Sequence, residues 1–221
     1  MAESRERILN RLRQARAVRP PHAAPDSEPE AAWLARQPPV GDLAERFRTE
    51  QESVAGEVRR VASWEALPDV VVPWLAERGV QSVLVGHEPR LERLCAALDA
   101  DGRFALHRYD RTLEESRETV FGVDCGITTS RGGIAETGSV IIVPTPEEPR
   151  LLSLAPEVHL AVVERERLHP RLADFIAGGA YQTEVPTNLV LVSGASRTAD
   201  IELTLAMGVH GPKLFLVALV D

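Results

Sequence analysis

Cysteine is nearly absent from the 221 residues: Cys95 and Cys125 lie far apart in the chain, with no C-x-x-C pair. That excludes a zinc knuckle and a disulfide framework, and buried thiols are the expected state of both. A [4Fe–4S] cluster takes four thiolate ligands, so this chain is expected to carry none alone. A basic surplus is missing too. With 33 acidic against 25 basic side chains, a formal charge of -8 and a pI near 5.4, broad adhesion to nucleic acid or an anionic membrane is not expected. No apolar run approaches the roughly 20 residues of a membrane span, and the longest, Leu214 to Val220, is strand-sized. The opening residues Met-Ala-Glu-Ser-Arg-Glu-Arg lack the apolar core of a signal peptide, which leads us to expect a cytoplasmic protein. The six histidines show no H-x-H or H-E-x-x-H spacing, so no built-in metal is expected. No G-x-G-x-x-G follows a strand, which leaves a nicotinamide site unsupported.

What remains is the composition of a compact domain, 44% hydrophobic and 26% charged. Ser4 is an N-cap candidate, and Ile8, Leu9, Leu12 and Ala15 fall on one face of the helix after it. Pro20, Pro21, Pro25, Pro29, Pro38 and Pro39 then mark an extended linker, because proline fixes φ and donates no ladder bond. Residues 1–39 thus read as a helix and linker that could dock on a partner or a second copy of the chain, and 40–221 as the main domain. There a helix over Asp42 to Ala55 leads to a strand over Glu57 to Ala62. Val80 to Val85, Thr119 to Val123, Val140 to Val143, Val158 to Val163, Asn188 to Val192 and Lys213 to Val220 read as strands. Helices are expected around Leu91 to Leu98, Pro170 to Ala177 and Ala199 to Met207. Strands alternating with helices predict an α/β fold, a parallel or mixed sheet covered on both faces, with ligands at the carboxyl ends of its strands.

Two segments carry the chemistry. Asp124 to Ser139 reads as a glycine-rich link between strands, where Gly126, Gly132, Gly133 and Gly138 permit close backbone approach. Thr128, Thr129, Ser130, Thr137 and Ser139 supply hydroxyls for carboxylate or phosphate oxygens, and Arg131 a cationic contact. Glu136, the one glutamate there, is placed for nucleophilic or general acid/base work. Further on, Ser196, Arg197, Thr198 and Asp200 read as a helix start whose free N–H groups cradle an anion, facing the glycine-rich run across the strand ends. Plain N-capping explains the same residues equally well. His159 and His210 are proton carriers if they face a ligand, and structural histidines if they do not. The G-x-S at Gly194 to Ser196 has no following glycine and is no nucleophile elbow.

Gly126-Ile-Thr with Ile134-Ala-Glu-Thr-Gly-Ser139, then Pro156-Glu-Val-His-Leu-Ala-Val-Val163, Ser196-Arg-Thr-Ala-Asp-Ile-Glu202 and Gly208-Val-His-Gly-Pro212 jointly resemble the LUD domain family, most closely its lactate-utilization members. The likeness covers roughly the last hundred residues. It implies a Rossmann-like layered α/β fold similar to the NagB/RpiA/CoA-transferase group. It also implies a non-redox part in oxidising L-lactate to pyruvate, beside partner subunits that carry the iron–sulfur clusters. The ligand is then a small carboxylate or phosphorylated molecule, held by Thr128, Thr137, Gly138, Ser139, His159, Ser196, Arg197, Thr198 and Asp200. By analogy with CoA-transferases, Glu136 is the nucleophile of an alternative, free-standing isomerase or acyl-transferase, with His210 as acid. A third reading is a metabolite-sensing or scaffolding domain. The residues leave open whether the chain is an enzyme.

Overall fold

The computed structural model describes residues 2–18, 30–109, 113–178, 186–199, 205–207 and 211–221. They fall into two compact units, Met1–Gln37 and Pro38–Asp221. The first contains helices α1 (Ala2–Val18) and α2 (Glu30–Ala35). Among the described residues no helix is long and apolar enough to cross a membrane.

The second unit opens with α3 (Leu43–Ser53), started by the Asp42 carboxylate, which accepts from the Ala44 and Glu45 N–H groups at 2.9 and 3.1 Å. Ala44, Phe47 and Gln51, at helical spacing, form its buried face. There follow β1 (Gly56–Val61), α4 (Leu67–Glu77), β2 (Ser82–Val85), α5 (Glu92–Asp101), β3 (Ala105–Arg108), α6 (Leu113–Gly122), β4 (Cys125–Thr129), β5 (Gly132–Ile134), β6 (Ser139–Ile142) and α7 (Leu151–Leu154). The chain continues through β7 (Val158–Glu164), β8 (Leu168–His169), α8 (Leu172–Ala177), β9 (Val190–Val192), β10 (Arg197–Ala199), β11 (Leu205–Met207) and β12 (Leu214–Val220).

Six strands form one wholly parallel sheet in the order β1-β12-β7-β4-β2-β3. Its centre, β7 and β12, is apolar on both faces, as a doubly covered strand requires. On one face α4 and α5 pack Val71, Trp74, Leu94 and Leu98 against Ile127, Leu160 and Leu216. On the other, α3 and a second, mixed sheet (β8-β5-β6-β9) set Phe47, Val140 and Ile142 against Ala161, Phe215 and Val217. Beside them Val120, Val123 and Leu152 cover Leu84. The α/β layered fold expected from the sequence is present.

Three local expectations differ from the structure. Thr119 to Gly122 end a helix rather than begin a strand, because Val120 and Val123, three apart, pack together on Leu84 and Leu152. The link from Asp124 to Ser139 contains strands: Gly126 and Thr128 belong to central β4, where the pairing Gly126↔His159 fixes the register. Glycine is required there by close packing, since a Cβ at 126 would meet the Leu152 carbonyl oxygen at 1.9 Å. Finally, a helix is absent at 197–199 and 205–207, where β10 and β11 pair antiparallel instead. The Ser196 N–H donates to Pro212 O at 2.8 Å and holds the approach to β10 alongside the segment entering β12.

Because Phe47 lies wholly buried between the two sheets, Phe47→Ala is expected to cost about 3–5 kcal/mol, while Phe121→Ala on the exposed surface stays within about 0.5 kcal/mol. Urea unfolding of the two variants checks the contrast.

Candidate functional site

The carboxyl ends of β2 and β4 open into a cleft of about 70 Å³ lined by Glu88, Arg90, Thr129, Ser130, Arg131, Val143, Thr145 and Glu148. The residues 144–149 after β6 fold back over it: the His87 N–H donates to Glu147 O at 2.8 Å, and the Glu148 N–H to Thr145 Oγ1 at 3.0 Å. Glu148 is thereby delivered to the end of β4. Its Oε1 accepts the Thr129 N–H at 2.7 Å, and its Oε2 is bonded by the Thr129 hydroxyl. Burial pushes the Glu148 carboxyl above its ordinary range; the Thr129 bonds and Arg90 oppose that, and Glu88 adds to it.

The two cations of the cleft differ. Arg90 is clamped, with Nε 2.9 Å from Glu88 Oε1, a terminal nitrogen 3.2 Å from Glu164 Oε1, and its guanidinium over the Trp64 ring. Trp64 in turn donates to the same Glu164 oxygen at 3.1 Å. Arg131 is exposed and has no ion-pair partner among the described residues. Next to it Ser130 is buried, and its Oγ has no hydrogen-bond partner among the described residues. A hydroxyl shut away from water without a partner costs free energy of about 1–3 kcal/mol unless something bonds it. A guanidinium and a hydroxyl without partners among the described residues, together at one strand end, suit a small anion.

Thr129, Ser130 and Arg131, picked out from the sequence, line this cleft, while the other residues picked out fall elsewhere. The β5–β6 hairpin turns away from the cleft and carries its tip to the opposite, amino-terminal end of the parallel sheet. There Gly138, at φ 63, lies against the end of α3, where a Cβ would sit 2.6 Å from Gln51 N. Glu136 is exposed at this tip, its N–H donating to Pro170 O at 3.0 Å and its carboxylate 4.0 Å from the Arg171 guanidinium, which is itself nearly buried and bonds Pro38 O. Thr137 Oγ1 lies 2.7 Å from Ser139 Oγ, and that oxygen 2.6 Å from Ser193 Oγ. The structure thus joins Thr137 and Ser139 to the segment that leads to Ser196, but away from the carboxyl ends of the strands. Thr128 and His159 meet inside the core, Oγ1 to Nε2 at 2.9 Å, with the imidazole tilted on Phe215. Arg197 and Thr198 are strand residues of β10 and form no helix start. Asp200 and His210 lie outside the described residues.

Sequence reasoning missed Arg90, Glu88 and Glu148. The rule that ligands meet parallel strands at their carboxyl ends pointed to Arg90, four residues beyond Gly86. Glu148, on a proline-rich return, gave no such signal. Among the described residues no three histidine, cysteine or acidic side chains are grouped to hold a metal. Cys95 and Cys125 are both buried, and burial pushes both thiols up.

A layered α/β domain built on a wholly parallel sheet, with a polar cleft at its strand ends, is Rossmann-like. The chain belongs to the LUD domain family, whose model matches residues 44–220. It is 28% identical to an uncharacterized protein of Neisseria meningitidis serogroup B over 95% of this chain and 90% of that one. With lactate utilization protein C of Exiguobacterium sp. it shares 35% identity over 45% of each chain, and with lactate utilization protein C 1 of Bacillus mycoides 29% over 77% and 75%. The crystal structure of a DUF162 family protein from Deinococcus radiodurans superposes with a TM-score of 0.59, at 20% identity, over 84% of this chain and all of that one, a likeness of fold.

His159, fully buried, has its pKa pushed by desolvation from 6.5 down to about 3. The unfolded chain therefore binds this proton more tightly, and stability drains away as pH falls from about 6.5 towards 3, by up to ~1.4 kcal/mol per pH unit. In urea unfolding at pH 7 and pH 5, His159→Gln should lose less stability than the parent chain; equal losses would refute this account of the buried imidazole.

Proposed function

We propose that the protein is a non-redox component of an L-lactate utilization system, working beside iron–sulfur partner subunits that oxidise L-lactate to pyruvate, and that it binds a small anionic ligand in the carboxyl-end cleft. The observation that carries the binding half is the pairing of the free Arg131 guanidinium with the unpartnered, buried Ser130 hydroxyl. The system half is supported by the names of the relatives, lactate utilization protein C among them. In this role the chain supplies binding and positioning, while electron transfer belongs to clusters held by its partners. The competing reading, acyl transfer from Glu136 with His210 as acid, gives the exposed hairpin tip the chemistry instead.

Deletion of the gene followed by complementation separates the two. The deletion strain should fail to grow on L-lactate and grow normally on glucose. Glu136→Gln should restore growth fully, whereas Arg131→Ala should leave the growth rate on lactate below about half of the parent's, since removing a charge-assisted contact weakens binding by roughly tenfold or more. Unimpaired growth of the deletion strain on L-lactate would overturn the proposal, and loss of growth with Glu136→Gln would favour the acyl-transfer reading.

A further inference from the structure

Thr129 and Glu148 are joined twice at the edge of the cleft, N–H to Oε1 at 2.7 Å and hydroxyl to Oε2. A hydroxyl has a single proton, so the second bond has two forms. With Glu148 ionised, Thr129 must spend its proton on the carboxylate and offers the cleft only a lone pair. With a proton on Oε2 the bond reverses: Glu148 donates, and the Thr129 hydroxyl is released to donate to a ligand. Ser130, buried and unpartnered, already waits beside it.

The charges around the cleft bear on the same choice. The turn after β2 brings Glu88 and Arg90, the end of β4 brings Arg131, and the end of β7 brings Glu164, held by Arg90. Arg90 is spent on two carboxylates, which leaves Arg131 as the one cation of the cleft without an ion-pair partner among the described residues. A ligand with one negative charge is matched by it. A second negative charge would meet Glu88.

We propose that Glu148 sets the specificity of the cleft: it admits a singly charged small anion together with one proton, and discriminates against dianions. The inference rests on the cleft being the ligand site. Bringing a monoanion beside Glu148 adds to the forces that favour the neutral carboxyl, namely burial and Glu88, against the two Thr129 bonds and Arg90. Proton uptake on Glu148 then turns Thr129 into a third donor, after Arg131 and Ser130. No bond is made or broken in the ligand; one proton moves from solvent to Glu148 Oε2 for each anion bound.

Calorimetric titration of the full chain with sodium acetate and with sodium oxalate, at pH 6 and pH 8, tests this. Acetate should bind at pH 6 and about tenfold or more weakly at pH 8, the ceiling being tenfold per pH unit for one linked proton. The binding heat should vary with buffer ionisation enthalpy as uptake of about one proton demands, and oxalate should bind at least about tenfold more weakly than acetate at both pH values. Glu148→Gln, whose amide donates permanently to Thr129, should bind acetate at pH 8 as the parent does at pH 6. Thr129→Val should bind weakly at both, with Thr129→Ser restoring the pH dependence. Acetate binding that is equal at both pH values yet lost in Arg131→Ala would overturn the role of Glu148 and leave the cleft standing as the site, and oxalate binding as tight as acetate would overturn the discrimination. Absence of acetate binding to the parent at either pH would overturn the cleft as the site, and this inference with it.

Discussion

The apolar centre of the parallel sheet constrains everything else. Strand β7 buries Leu160 to Val163, and β12 buries Phe215 to Val220, so neither strand has a face that tolerates water. At about 25 cal/mol per Å² of apolar surface, leaving either face open would forfeit a large part of the favourable free energy of folding. Two covers result. Helices α4 and α5 form one; α3, the second sheet and the α6–α7 region form the other. The second sheet exists because the chain, on leaving β4, returns as a hairpin over Ala161, Phe215 and Val217 instead of forming an immediate crossover helix.

That return has a functional consequence. A glycine-rich segment after a parallel strand ordinarily lies at the ligand. Here the hairpin uses Gly133 and Gly138 to press against Phe47 and Gln51 of α3, and it moves Glu136 to an exposed tip. The strand end it leaves behind keeps Thr129, Ser130 and Arg131, and the loop from the far side of the hairpin brings Glu148 to them. The cleft is thus made from both ends of one hairpin, and its polar groups sit where the backbone N–H and hydroxyl donors of β4 have run out of strand partners.

The alternation of elements was readable in the main domain because β2, β7 and β12 are continuous apolar runs and α3 and α5 have clean helical spacing. Legibility failed where context decided. Helix α4 carries Pro68 and Pro73 within an almost wholly apolar stretch, which masks any period. Val120 and Val123 suit a strand by propensity and a helix by packing. Glycine at 126 and 133 reads as flexibility in one dimension and is close packing in three. In the cleft, Thr129, Ser130 and Arg131 belong to the glycine-rich run, but Glu148 is 19 residues from the Thr129 that holds it, and Arg90 is 74 from Glu164.

The sequence by itself determined the fold class and the family likeness, because both reside in local patterns: apolar runs of strand length, helical spacing, and short motifs in a set order. Only the tertiary structure decided which polar groups share a site. Hydroxyls, carboxylates and guanidiniums look alike along the chain, and their chemistry depends on burial and on partners supplied by distant segments. Thr129 and Thr137 have the same side chain eight positions apart, yet one ends a parallel strand beside a half-buried carboxyl and the other sits at the tip of a hairpin among serines.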